Sequence, residues 1–390
     1  MDYHRNVLHE DLSRLETLHL RYSENSNGTQ RGYISGLDVI TLDYIAVVGY
    51  GTPKIDTTVY IDTSSDLSLI TCGETYCRTS GYSHHDECFY PSNSSSFIET
   101  LNLTNRLAEG FSDDGYYEMI TAYERGISML RGCNGFLSNE TLTLTPSIVI
   151  KDFMFCCGSR PRDRDYHHLS DQKVGVMGLG RGSLSIASQG YRSINGSFSY
   201  CLPSLNGNAG FLIFGSQREE FGLVQFTPIL HNPTAPSYYF VDLIGLSVGG
   251  KMLPIPASVF RDEGTVLDTG TVVTYLPEAA YLALHSEFDA WVRRYAASVS
   301  GFANLETCYE FGHLKEIKIP KVALLFGSGV TLELPPTGIL YYIGSSKYCL
   351  AFAATKEIGE FSVIGNVQQR STKVIYDLGR QMVGFEAGSC

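Results

Sequence analysis

Two stretches of the chain are written in the same order. VYIDTSSDLSLITC (59–72) and TVLDTGTVVTYLP (265–277) each run apolar strand, Asp, Thr, small residue, hydroxyl residue, second apolar strand. An aspartate inside an apolar run is costly to bury unless it is paired, hydrogen-bonded or neutralised. Taken alone, Asp62 reads as a turn aspartate ending a strand, but Asp268 repeats it with the same neighbours. Each copy is followed by two apolar residues and a glycine, Val176-Met177-Gly178 in VGVMGLGRGS and Val363-Ile364-Gly365 in FSVIGNVQQR. The duplication therefore runs through both halves, and two similar lobes are expected, 37–215 and 216–390.

The texture between these motifs is that of strands. From Tyr33 onward, β-branched and aromatic runs are broken by Gly and Pro, beginning YISGLDVITLDYIAVVGYGTP. With 39 glycines, 25 tyrosines and one tryptophan in 390 residues, a mostly β protein is expected. The clearest helix is PEAAYLALHSEFDAWVRRYAASV (277–299). Residues 1–36 differ: they are charged, and HEDLSRLETLHLRY carries Leu12, Leu15 and Leu18 at helical spacing, which reads as a helix or an arm.

A net charge of −12, with no Lys/Arg stripe interleaved with aromatics, argues against nucleic acid as a partner. No apolar stretch reaches the length of a membrane span, and MDYHRNVLHEDL lacks the apolar core of a secretion signal. Ten cysteines together with five N-x-S/T sequons, at Asn27, Asn93, Asn102, Asn139 and Asn195, point to a disulfide-bonded glycoprotein of the secretory pathway, extracellular, apoplastic or vacuolar. Connectivity cannot be read from spacing; Cys308 with Cys349 is the pairing expected within the second half.

Two D-T-G/S-S/T turns, each with a downstream apolar-apolar-Gly, resemble the pepsin-like aspartic peptidases (family A1), in which each lobe lends one aspartate to a shared cleft. Finer matches are similar to the plant nepenthesin-type branch: YGTP before the first turn, FSYCLP (198–203), LSVGGKMLPIP (246–256), LETCYEF (305–311) and IGNVQQRSTKVIYDLGRQMVGF (364–385). The likeness covers residues 33 to 390. It implies a bilobal fold of two pseudo-twofold-related β lobes around a central cleft, a polypeptide substrate, a monomer, and no cofactor or metal. Residues 1–36 are similar to the end of the family's prosegments, and read as retained prosegment of a zymogen or as a flexible terminus.

The chemistry carried over from that family is acid–base. Two carboxylates within hydrogen-bonding distance cannot both ionise cheaply, so Asp62 and Asp268 are expected to hold one proton between them over a wide acidic range. The ionised member takes a proton from a bound water, which attacks the scissile carbonyl while the protonated member hydrogen-bonds its oxygen. Ser65 and Thr271 are placed to bond the outer carboxylate oxygens, and Thr63 and Thr269 to interlock across the pseudo-twofold, with Ser64 and Gly270 completing the turns. Gly178 and Gly365 let an adjacent strand pass close behind each turn.

Three departures from the family pattern point to weakened activity. Ser64 stands where glycine is usual, and its Cβ is expected to strain the turn and shift Asp62. Leu69 replaces a tryptophan. The flap that closes over substrate is assigned to GFSDDGYY (110–117), with Phe111 in place of a tyrosine beside Asp114, Gly115 and Tyr116. Other motifs read blandly. GLSVG (245–249) fits a serine-hydrolase elbow but is followed by GKMLPIPASVF, whose prolines refuse the required helix. GLGRGS (178–183) lacks a P-loop lysine and reads as a glycine-rich turn. HHDEC (84–88) lacks a second ligand pair for zinc, and Cys88 fits a disulfide among Cys72, Cys77 and Cys88. Two functions stay open: a working acid endopeptidase, and a member that binds a peptide, a glycan-active enzyme or another protein, as an inhibitor does, without cutting it.

Overall fold

The computed structural model describes residues 32–40, 43–73, 88–102, 134–159, 175–204, 210–215, 224–233, 235–302, 305–312, 318–355 and 361–389. The flap residues Phe111, Asp114, Gly115 and Tyr116, most of the leading arm and the histidines of HHDEC lie outside them.

The fold is mostly β and two-lobed. A run of six antiparallel strands crosses from one lobe to the other in the order Gln225–Pro228, Met382–Ala387, Thr372–Asp377, Ser197–Cys201, Gly210–Phe214, Gly32–Ile40. The first strand begins at Gly32, so the sheet takes in the last residues of the segment read as an arm. The strand pair Ser197–Cys201 and Thr372–Asp377 joins the halves, because FSYC and TKVIYD bury nearly every side chain on both faces. Phe198 stacks on Tyr376 at 4.6 Å between centroids, and Tyr239 meets Tyr376 edge-on at 4.4 Å.

The duplication seen in the sequence is matched strand for strand. In the first lobe Ile55–Asp62 pairs in parallel with Gly175–Gly178, which pairs antiparallel with Leu69–Ile70, which pairs in parallel with Ile148–Ser159. In the second, Thr265–Leu267, Ser362–Ile364, Thr274–Leu276 and Phe352–Ala354 repeat that order and those directions. The apolar-apolar-Gly segment is thus threaded between the two strands flanking each Asp-Thr turn, and the register sets Asp62 opposite Gly178.

The helix bounds need correcting, and the cysteine pairings can be completed. The helix covers Glu278–Val292 only; Tyr295 N donates to the Val292 carbonyl in a final turn, and Ala297–Val299 then turns into a strand against Cys308–Glu310. Cys72 does not pair within Cys77 and Cys88 but with Cys157, since Ile70 and Cys157 are in register on parallel strands and bring the Cα atoms to 5.3 Å. Cys88 is disulfide-bonded with its partner outside the described residues. Cys308 and Cys349 face each other on adjacent strands and are bonded, as expected. GLSVG lies in the strand Leu243–Val248 and enters a hairpin with Lys251–Met252, so Ser247 tops no strand-to-helix elbow.

Candidate active site

Each Asp-Thr turn closes on its own carboxylate. Asp62 Oδ1 accepts from Ser64 N at 2.9 Å, Ser64 Oγ at 2.9 Å and Ser65 N at 3.1 Å, and its Oδ2 accepts from Ser65 Oγ at 2.5 Å. Asp268 Oδ1 accepts from Gly270 N at 2.9 Å and Oδ2 from Thr271 Oγ1 at 2.5 Å. The hydroxyl three residues after each aspartate is what locks the carboxylate orientation, and alanine there would remove that bond.

The turns also lock each other. Thr63 N donates to Thr269 Oγ1 and Thr269 N to Thr63 Oγ1, both at 3.1 Å. Each hydroxyl then donates to a carbonyl of the opposite lobe, Thr63 to Leu267 at 3.3 Å and Thr269 to Ile61 at 2.9 Å. Both threonines are buried, so removing one hydroxyl strands an N–H and a carbonyl away from water. Thr63→Val and Thr269→Val are each expected to cost about 2 kcal/mol, with the double variant falling short of the sum by about 1 kcal/mol or more, measured by urea unfolding. An additive double variant would show that the two hydroxyls do not act as one lock.

This interlock sets the two Asp-Thr turns against each other. A Cβ built on Gly270 would sit 3.2–3.3 Å from the carboxylate atoms of Asp62, while Gly270 itself is exposed and Asp62, Ser64 and Ser65 are half-buried, so the pair opens to solvent on that side. Asp268 is buried. Burial pushes its carboxyl up to about 6, the charge of Asp62 adds to the rise, and the hydrogen bonds from Thr271, Gly270 and Ser64 oppose it. The expected backbone strain at Ser64 is absent: neither Ser64 nor Gly270 is among the residues with left-handed backbone, and Ser64 turns its hydroxyl to Asp62. Leu69 is buried between neighbours on both sides of its strand, consistent with a fold that tolerates the missing tryptophan.

The glycines behave as a pair. Gly178 N donates to Ser68 Oγ at 3.0 Å and Gly365 N to Thr274 Oγ1 at 3.1 Å, on the strands that follow each turn. Beneath the pair lies a polar layer that sequence reasoning missed. Gln369 Nε2 donates to the carbonyls of Asp268 at 3.1 Å and Ile364 at 2.9 Å, and its Oε1 accepts from Tyr200, whose hydroxyl lies 3.2 Å from that of Tyr376. Asn366 Nδ2 donates to the Thr269 carbonyl at 3.1 Å. The run NVQQR was visible as a motif but carries no local sign of burial; in the fold its amides are fully buried and bond backbone carbonyls. Asp66 was missed as well. Its carboxylate accepts from Gly182 N at 2.7 Å, and a Cβ on Gly180 or Gly182 would fall 2.3 or 2.0 Å from its oxygens, so GLGRGS is a glycine-rich turn folded around a buried carboxylate.

Comparison with known proteins agrees with this architecture. Residues 44–216 match the family model described as xylanase inhibitor N-terminal, and residues 238–387 the one described as xylanase inhibitor C-terminal. Aspartyl protease AED1 of Arabidopsis thaliana is 35% identical over 99% of this chain and 82% of its own length. The chain belongs to the plant aspartic-protease-like family. Another relative in that family, an Arabidopsis thaliana aspartyl protease family protein, is 34% identical over the same shares, and aspartic proteinase nepenthesin-2 of Nepenthes gracilis is 31% identical over 89% of this chain and 78% of its own length. Among solved structures, basic 7S globulin from soybean superposes with a TM-score of 0.66 at 19% identity, covering 92% of this chain and 97% of that one, a likeness of fold.

Proposed function

We propose that this member of the plant aspartic-protease-like family is an acid endopeptidase of the nepenthesin type, in which Asp62 and Asp268 share one proton and activate a water against a peptide carbonyl. The observation that carries the reading is the interlock of the two Asp-Thr turns, which leaves a buried, raised carboxyl beside a half-buried one at a solvent-open edge. Gly178 and Gly365 support the turns from behind, and relatives named as aspartyl proteases span nearly the whole chain. The polypeptide would bind in the cleft between lobes 37–215 and 216–390, with the flap over it. The sequons and disulfides support a glycoprotein of the secretory pathway, read as a monomer like the family it resembles and released from a zymogen if residues 1–36 are a prosegment.

A denatured polypeptide incubated with the purified full chain is expected to be cut at internal bonds at mildly acidic pH. Cleavage should fall as pH rises through about 6, where the shared proton is lost and two adjacent charges remain. A peptide mimic carrying a tetrahedral hydroxyl should bind and raise the thermal midpoint. The second reading, an inhibitor or binding protein, draws on Ser64 beside the pair and on the inhibitor description of the family models. A chain that cuts nothing, even after removal of residues 1–36, would favour it.

A further inference from the structure

Of the sequon asparagines, Asn93, Asn139 and Asn195 have side chains within the described residues, and the fold treats them differently. Asn139 lies on the strand Asn134–Thr145, between Ile98–Asn102 and Ile148–Ser159, with both ends of its amide engaged. Its Oδ1 accepts from Thr100 Oγ1 at 2.8 Å and its Nδ2 donates to the Asp152 carbonyl at 3.0 Å. Asn93 and Asn195 are exposed, and neither amide side chain bonds a described residue. Asn195 and Gly196 are consecutive left-handed residues, φ 49° and 59°, in the turn that leads into the junction strand Ser197–Cys201. Such backbone favours asparagine and glycine, so the turn accounts for both of them. It does not account for Tyr191. The Tyr191 ring lies 2.6 Å from where a Cβ on Gly196 would sit, so it lies against the residue next to Asn195. That ring stays 44% exposed, an open apolar face beside an open amide.

We propose that Asn195 carries an N-linked glycan whose first N-acetylglucosamine is seated on the exposed ring of Tyr191, an assignment that rests on the secretory-pathway reading and is independent of the peptidase one. In the transfer, Asn195 Nδ2 forms a bond to the anomeric carbon of the sugar. The bond from that carbon to a lipid-diphosphate-linked oligosaccharide's phosphate breaks, the lipid diphosphate leaves with the electron pair, and one amide proton passes to a base of the transferase. Ser197, the third residue of the sequon, is buried at the head of the junction strand and paired with Asp377. The transferase therefore reads Asn-Gly-Ser before this strand is laid down, and the folded turn has only to hold the sugar at an open position. Asn195 provides one; the engaged amide of Asn139 does not. Once attached, the C–H face of the sugar covers the Tyr191 ring and takes apolar area out of water. The gain falls on the turn that starts the strand joining the two lobes.

The test uses the full chain secreted by a eukaryotic host that keeps its glycans in oligomannose form. Peptide mapping after amidase release in heavy-oxygen water should find labelled aspartate at position 195 in most molecules and at position 139 in few. An endoglycosidase that leaves only the first sugar should leave the thermal midpoint unchanged, whereas amidase removal of that sugar should lower it by about 2 °C. Asn195→Asp, which reproduces the amidase product at this one site, should show the same drop. The drop should vanish in Tyr191→Ala and persist in Tyr191→Phe, which keeps the ring. If Tyr191→Ala does not fold, nuclear Overhauser contacts between the first sugar's ring protons and the Tyr191 ring read the same seat in the trimmed wild type, and their absence would overturn it. Equal drops in wild type and Tyr191→Ala would overturn the seat even with Asn195 occupied. Sugar at other sequons with Asn195 bare would overturn the proposal and leave the glycoprotein reading standing; a secreted chain with no sugar at all would overturn both.

Discussion

Asp268→Asn is expected to lower peptide cleavage by about a thousandfold or more, because the general acid–base step is lost with the titrating proton. The same substitution should make the protein more stable at neutral pH. The folded chain holds the proton of Asp268 up to about 6, whereas an unfolded chain releases it near the ordinary carboxylate value of about 4. Between those values the native state binds more protons than the unfolded one, so stability falls as pH rises from about 4 to about 6 and is level above. The loss is on the order of 2–3 kcal/mol for a shift of about two units. Asparagine cannot ionise, so the variant should escape that decline. Rewiring of the Thr271 and Gly270 bonds adds an offset, but a constant one; the signature is the widening gap between variant and wild type across this window, read from thermal midpoints at several pH values. Parallel stability curves would mean that Asp268 is not raised in the folded protein, and cleavage surviving in the variant would mean another agent does the cutting. The two readouts are independent, so the buried carboxyl can be established in a chain that turns out to bind without cutting.

How much of this was legible in the sequence follows from what repeats. Asp62 and Asp268 were found because two local patterns agreed, and local patterns are what a linear reading compares. The threading of Gly178 and Gly365 behind the turns came from the same repeat. The second-half disulfide fell on the expected cysteines and Cys88 is bonded as expected, while the partner of Cys72, Cys157, is brought close only by parallel strands far apart in the chain. Asp66 and the glycines of GLGRGS are likewise separated by more than a hundred residues, and nothing local in either announces the other. Ser64 was noticed for its Cβ; the backbone there is not left-handed, and its hydroxyl bonds Asp62, which the sequence did not suggest. Gln369 and Asn366 show the remaining limit: their burial is a tertiary fact, and without it an amide in NVQQR reads as surface.

Replacing Gly365 or Gly178 by alanine should cost about 3 kcal/mol or more of stability and most of the activity, for a reason unrelated to backbone freedom. Gly365 has φ −75°, which any residue adopts. A Cβ there would lie 2.5 Å from the Val273 carbonyl oxygen and 2.6 Å from its carbon; on Gly178 it would lie 2.2 Å from the Asp66 oxygen and 2.6 Å from its carbon. Both obstacles are main chain, in the short segment leading out of the Asp-Thr turn, so no side chain can swing aside to make room. Relief requires the threaded strand and the turn to separate. That would stretch the bonds from Gly365 N to Thr274 and from Gly178 N to Ser68, and displace the adjacent aspartate. A shift of about 1 Å in a catalytic group costs on the order of a hundredfold in rate. Gly250→Ala is the control, since φ is +81° there and nothing lies within 4 Å of its Cβ. Backbone strain alone should cost it about 1 kcal/mol and leave cleavage unchanged. If urea unfolding places all three variants together, close approach behind the turns is not what holds the two carboxylates in position.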